Sequence, residues 1–192
     1  MNPIFQFPTY LLKRQAIALT GKFRFYDPAG RLVLFSEQKM FKLREDIRVF
    51  SDESKSQEVL SIKARQILDF SAAYDVVDTA YNQKVGALRR RGLQSILRDE
   101  WEVLDAGDNV IGKLFEDSVA LALIRRLLAD WVPQNYDITV GETRVADLKQ
   151  NFNPFRYQLN LDFSMDTARR LDRRLGLAAG ILLAAVEGKQ SN

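Results

Sequence analysis

The segment that most limits how this chain can fold lies near its C-terminal end, where residues 175–186 are apolar apart from two glycines. Asp166 suits an N-cap and Gly188 a stop, so the sequence predicts a helix from Thr167 to about Val186. The second half of that helix has no polar face, and such a helix must be surrounded. The run is well short of the ~20 residues that cross a bilayer. We therefore predict that protein encloses it and that the chain has no transmembrane span.

Short segments of alternating apolar and polar residues predict the layer that encloses the helix. Residues 22–25, 31–35 and 157–163 all have the period-2 pattern of half-buried strands. A twisted sheet of roughly ten or more strands tends to close or split, so it can form a barrel around a thin helix. We predict a mainly β fold in a single domain over residues 1–192, namely a closed antiparallel barrel that encloses a hydrophobic C-terminal α-helix.

Turn residues divide the predicted sheet into hairpins. Residues 26–33, 77–86 and 104–112 each combine an Asp with a Gly or Asn, which bond the turn backbone and tolerate positive φ. Two further helices are expected to interrupt the sheet. One covers residues 119–129 after the cap Asp117-Ser118, and a shorter one covers residues 41–50.

Two residue types are absent from the sequence, which contains neither Cys nor His. Without Cys there is no disulfide, no thiolate nucleophile or metal ligand, and no palmitoyl anchor. Without His, the usual general base near neutral pH and the commonest metal ligand are missing. No phosphate-binding loop or paired catalytic carboxylates rise above chance in the rest of the sequence. We predict a non-enzymatic protein without a metal or cofactor.

The N-terminal residues 1–21 carry Lys13 and Arg14 in the middle of their apolar stretch and lack a cleavage site typical of a signal peptide. We therefore expect a cytoplasmic protein. The formal net charge of +3 is a mild bias towards anionic partners.

The order of these segments resembles a known group of proteins. Residues 22–33, 101–114 and 159–187 give hairpins with an Asp/Gly turn, then a strand, an Asp, an Arg-rich turn and a small-residue apolar helix. This arrangement resembles the Tubby C-terminal-like group, and within it the scramblase-like and LURP-one-related proteins. The resemblance implies a roughly twelve-stranded barrel around a central helix. It implies function less narrowly, because the group includes phosphoinositide-binding domains and phospholipid scramblases, and a fold alone does not fix function.

The first candidate site is the stretch of residues 84–98, which has five cations and no acid: Lys84, Arg89, Arg90, Arg91 and Arg98. Arginine suits phosphate, and a cation near an anionic membrane contributes about 1 kcal/mol. The simpler alternative is a surface strand whose arginines are solvated or paired with acids distant in sequence. Runs of charged residues usually lie on the surface, which favours this alternative.

The second candidate site is the start of the predicted C-terminal helix, which carries Arg169, Arg170, Arg173 and Arg174. Cations at a helix N-terminus oppose the helix dipole, so they require compensation. Local pairs of Asp166 with Arg170 and of Arg169 with Asp172 would supply it. The alternative is an anion bound at the mouth of the barrel.

These observations predict a scramblase-like binding domain that holds an anionic phospholipid or another anionic ligand through its Arg clusters, as a cytoplasmic protein able to reach a membrane surface. The alternative is a structural or protein-interaction barrel with no lipid role. Nucleic acid is not an expected partner, because the basic stretch 84–98 has no interleaved aromatic residues.

Overall fold

Twelve strands and one α-helix lie in the residues that the computed structural model describes, which are 2–17, 20–39, 46–65, 73–91, 100–116, 135–151 and 157–187. The strands are β1 (Thr9–Ile17), β2 (Thr20–Tyr26), β3 (Leu32–Lys39), β4 (Ile47–Phe50), β5 (Glu58–Ala64), β6 (Ala73–Asp78), β7 (Gln83–Arg90), β8 (Glu100–Leu104), β9 (Val110–Glu116), β10 (Asn135–Val140), β11 (Thr143–Gln150) and β12 (Gln158–Asp162). The helix is α1 (Arg173–Glu187), and a short 3-10 helix, Pro3–Phe5, precedes β1.

The strands form one closed antiparallel barrel, as the sequence predicts. Each strand pairs with its neighbours in the chain, and β1 pairs with β12 to close the sheet, with Leu12 opposite Leu159. The three predicted hairpins are the pairs β2–β3, β6–β7 and β8–β9. Their turns lie at one end together with those at residues 51–57 and 141–142. We call this end of the barrel the hairpin end.

The apolar helix fills the barrel. Residues 175–184 of α1 are all buried, and the helix lies against β6, β7 and β12. It begins at the hairpin end, where Arg174 reaches Asp78 at the end of β6. Near its other end, Arg14 of β1 donates a hydrogen bond of 3.0 Å to the carbonyl of Ala184, and a cation suits a helix C-terminus. Within the described ranges, no helix is long and apolar enough to cross a membrane.

The prediction that α1 begins at Thr167 is wrong, because residues 163–172 form turns and the helix begins at Arg173. Arg169 has a φ of 51°, and this left-handed backbone cannot continue a helix. Asp172 is the N-cap, since its carboxylate accepts the backbone N–H of Arg174 at 3.0 Å and its carbonyl that of Leu175.

The helix predicted over residues 41–50 is wrong for its last part, because Ile47–Phe50 is strand β4 between β3 and β5. Ile47 and Val49 are buried while Arg48 is exposed, which is the alternation of a strand with one covered face. Residues 41–45 and the helix predicted over 119–129 lie outside the described residues.

Candidate functional site

The first predicted cluster is spread along β7, and its outward-facing cations lie beside acids from neighbouring elements. The Lys84 ammonium lies 2.7 Å from the Asp108 carboxylate and 3.3 Å from that of Asp75. The guanidinium of Arg89 lies 2.5 Å from the carboxylate of Glu102. Lys84 donates to Asp108 and holds the pKa of this carboxyl below its usual range.

Arg91 shares the same acids. Its guanidinium lies 3.1 Å from Glu100 and 3.3 Å from Glu102, and Lys113 of β9 approaches Glu100 at 3.5 Å. These acids lie on β8, directly beside β7. The positive charge of Lys84, Arg89 and Arg91 is therefore largely balanced by protein carboxylates.

Arg90 has a different environment, because strand alternation turns it away from Arg89 and Arg91. It lies opposite the buried Trp101 in the β7–β8 register and is half-buried. Burial raises the pKa of the nearby Tyr74 hydroxyl, and the charge of Arg90 acts against that rise. Arg98, the fifth member of the predicted cluster, lies outside the described residues.

In the second predicted cluster, Arg173 and Arg174 are both held by buried acids. The guanidinium of Arg173 lies 2.8 Å from the Asp166 carboxylate and stacks on the ring of Phe163 at 4.8 Å from its centroid. Arg174 donates two hydrogen bonds to Asp172, at 2.9 and 2.6 Å, and lies 2.5 Å from Asp78. Arg173 therefore fixes the start of α1 to the segment that follows β12, and Arg174 fixes it to β6 of the barrel wall.

Asp166 organises the whole segment between β12 and α1. Its carboxylate accepts the backbone N–H groups of Arg170 at 2.8 Å and Leu171 at 3.1 Å, and its carbonyl accepts that of Arg169. Burial alone would raise the pKa of Asp166, but these N–H donors and the Arg173 guanidinium outweigh it and hold the pKa below its ordinary value of 3.8. Asp166 is therefore an ionised, buried group that fixes the backbone of residues 169–171.

Arg169 and Arg170 project from this fixed backbone and are exposed. In the part of the chain that the structure describes, neither guanidinium has an acidic partner. The predicted pairs of Asp166 with Arg170 and of Arg169 with Asp172 do not form, because the segment is not helical and these acids pair with Arg173 and Arg174 instead. Among the described members of the predicted clusters, these two arginines are thus best placed to meet a ligand.

Large apolar side chains are exposed at the same end of the barrel. Tyr81 is 69% exposed, Val110 is 50% exposed and Met165 is 38% exposed, and these are the exposed large hydrophobics among the described residues. Tyr81 lies in the β6–β7 turn, Val110 directly follows the β8–β9 turn, and Met165 precedes Asp166. Sequence reasoning missed them. The available signal was a large apolar residue in or beside a turn, where polar residues are usual.

Within the described ranges, no group of three or more carboxylates is arranged to hold a metal ion. The candidate site is therefore the hairpin end, where Arg169 and Arg170, which have no acidic partner among the described residues, lie near exposed apolar side chains.

Comparison with known proteins places this barrel in a family. The model of the LURP-one-related family matches residues 32–184, which is most of the chain. The chain belongs to the LURP-one-related family. This family is part of the Tubby C-terminal-like superfamily, so the resemblance to this group is confirmed.

A solved structure supports the same fold. An X-ray structure of a protein from Arabidopsis thaliana aligns with a TM-score of 0.50 at 12% identity, covering 100% of this chain and 97% of that one. At this identity the likeness concerns the fold alone. None of the curated proteins compared with the sequence matches it. The LURP-one-related barrel is not the fold of a known enzyme family.

Proposed function

We propose that this LURP-one-related protein is a non-enzymatic, scramblase-like binding domain whose hairpin end binds an anionic ligand, with an acidic phospholipid surface as its ligand. The observation that carries the proposal is the pair Arg169 and Arg170, which are exposed and have no acidic partner in the described residues. We propose that it acts from the cytoplasm as a peripheral protein.

Without a ligand, this arrangement of the two arginines is energetically unfavourable. Arg169 adopts a left-handed backbone that non-glycine residues rarely take, and the two charges lie close to the start of α1, whose dipole opposes cations. The described residues provide no compensating acid for them. Bound phosphate or carboxylate groups would offset these charges and accept hydrogen bonds from the planar guanidinium groups.

The apolar tips favour a lipid surface over a free anion. Tyr81, Val110 and Met165 are exposed at the end that carries the two arginines. Aromatic and apolar side chains beside cations are typical of surfaces that insert into the headgroup region of a bilayer. Lys84, Arg89 and Arg91 contribute less in this proposal, because carboxylates already balance their charges.

We expect the purified chain to co-sediment with acidic vesicles and not with neutral ones, more strongly at low salt than at physiological salt. Each cation contributes about 1 kcal/mol at an anionic surface. Replacement of both Arg169 and Arg170 by Gln should therefore weaken binding about 30-fold. The matched control is Arg89→Gln with Arg91→Gln, which removes two paired cations and should change binding less than threefold.

Two outcomes would contradict the proposal. Absence of binding to either kind of vesicle would favour the alternative, a protein-interaction barrel. Equal losses in the two double variants would show that net charge, and not the arginine pair, drives binding. Circular dichroism of each variant checks that the barrel is intact.

The apolar tips give a separate prediction. Tyr81→Ser combined with Met165→Ser should weaken binding to acidic vesicles by a factor that persists at high salt, because burial of apolar surface is not screened. The arginine contribution should instead fade as salt rises. Binding of the two variants measured across a salt series checks this, and a tip variant that behaves as wild type throughout would remove these residues from the surface.

A further inference from the structure

A groove of about 390 Å³ lies on the outer wall of the barrel, across β12, β1 and β2. The strand register places Asn160, Leu11 and Tyr26 side by side on three adjacent strands. Leu11 is half-buried between the other two, so it supplies an apolar floor. The volume of the groove falls within the usual ~300–1,000 Å³ of small-molecule sites.

Lys13 gives the groove its positive charge. Its ammonium lies 4.7 Å from the centroid of the Tyr26 ring, a cation–π contact that holds the side chain along the wall. Among the described residues no carboxylate pairs with it. Most other wall cations, such as Lys84 and Lys113, do have an acid. The groove therefore contains a positioned cation that no carboxylate of the described residues neutralises.

The carboxylate of Asp27, which lines the groove, already has hydrogen-bond partners within the protein. One of its oxygens accepts the backbone N–H groups of Ala29 and Arg31, and the other accepts the Arg31 guanidinium at 2.8 Å. The Arg31 backbone N–H, with the other donors, holds the pKa of Asp27 below its usual range against the effect of burial. Asp27 thus closes the turn and does not compete for Lys13.

Neutral hydrogen-bonding groups complete the lining. The Asn160 side chain is exposed on β12, and within the described structure its amide makes no hydrogen bond to protein. An amide offers two donors and an acceptor. The groove therefore combines an ammonium, an aromatic ring, an aliphatic floor and an amide on rigid strands.

We propose that this groove is a separate binding site for a small organic anion with a flat apolar body, such as an aryl phosphate or aryl carboxylate. Lys13 contacts the anionic group, the flat body lies on Leu11 beside the Tyr26 ring, and Asn160 bonds a polar substituent. The site goes beyond the proposed membrane surface and does not depend on it.

The test is a titration of the full ¹⁵N-labelled chain, followed by NMR, with phenyl phosphate and with benzoate. Two control compounds each carry one part of the ligand: inorganic phosphate has the anionic group without the ring, and benzyl alcohol has the ring without the anionic group. We expect amide shifts confined to residues 9–13, 26–31 and 158–162, with either half-ligand binding at least tenfold more weakly. Phenyl phosphate against benzoate distinguishes the two anion types.

Lys13→Met should reduce the affinity at least tenfold while leaving the rest of the spectrum unchanged. Lys63→Met is the matched control, since Lys63 is an exposed lysine of the outer wall on β5, and it should bind as wild type. Scattered shifts, or an affinity that Lys13→Met leaves unchanged, would overturn the proposal.

The double variant Arg169→Gln with Arg170→Gln separates this site from the proposed function. It should keep the affinity of the groove for phenyl phosphate while binding acidic vesicles weakly. Lys13→Met should retain most vesicle binding. Failure of the groove titration therefore leaves the membrane proposal standing, and failure of vesicle binding leaves the groove standing.

Discussion

Replacement of Asp166 by Ala is expected to lower the free energy of unfolding by about 3–5 kcal/mol, because it breaks a buried ion pair and leaves one charge uncompensated. The Asp166 side chain is 1% exposed and that of Arg173 is 13% exposed. The same change removes the acceptor for the backbone N–H groups of Arg170 and Leu171. Urea denaturation followed by circular dichroism measures the loss.

Asp166→Asn is the informative companion variant. Its amide oxygen can still accept a backbone N–H, while the charge that Arg173 requires is gone. We expect a loss between those of wild type and Asp166→Ala. Asp162→Ala is the control, since within the described residues that half-buried carboxylate accepts only the N–H of Ser164, and it should cost less than about 1 kcal/mol. An Asp166→Ala protein as stable as the control would show that the pair does not anchor α1.

The pH dependence of stability follows from the same carboxylate. The pKa of Asp166 is lower in the folded protein than its ordinary value of 3.8. Its contribution is therefore complete above pH 3.8 and is lost as the pH falls through the folded pKa. The chain has no His to titrate near neutrality. We expect stability to change little between pH 8 and 5 and to fall below about pH 4, with a shallower fall in Asp166→Asn.

The barrel was predictable because its signals are local and repeated. Alternation in residues 22–25 and 31–35 predicts strands, and an apolar helix without a polar face must be enclosed. The predicted sheet can supply that enclosure, so the two predictions support each other. The start of α1 was not predictable in this way. Both Asp166 and Asp172 suit an N-cap, and the choice depends on Asp78, a residue far away in sequence that pairs with Arg174.

The candidate site was predictable in part for a related reason. Strand pairing brings Glu100 and Glu102 beside Arg89 and Arg91, so these two cations of a run without acids have acidic partners in three dimensions. The alternation of side chains along a strand was enough to predict that Arg90 faces away from Arg89 and Arg91. The exposure of Arg169 and Arg170 depends on turns that the sequence presents as the beginning of a helix.

The glycine at position 112 is required by a close contact between two strands and not by the turn that precedes it. Gly112 ends the segment 104–112, in which an Asp with a Gly or Asn predicted a hairpin turn, and in the structure the left-handed residue of that turn is Asp108, at φ 67°. Gly112 lies inside β9, opposite Val140 of β10. A Cβ there would lie far inside van der Waals contact with the Thr139 carbonyl oxygen, 2.9 Å from the Thr139 carbonyl carbon and 3.1 Å from the Val140 Cα. Close approach of two backbones is thus what requires glycine.

Gly112→Ala is therefore expected to destabilise the barrel by about 3 kcal/mol or more, at the upper end of what overpacking costs, because the clashing atoms are backbone and cannot move without separating β9 from β10. Gly180→Ala in α1 is the matched control. Its Cβ would lie 2.9 Å from one methyl group of Leu161, a side-chain end that can shift, and alanine gains about 1 kcal/mol of helix propensity. It should cost less than about 1 kcal/mol. Urea denaturation measures the loss in free energy of unfolding for both variants. Equal losses would contradict the prediction, because they would show that the β9–β10 contact tolerates a Cβ no worse than the space around the enclosed helix does.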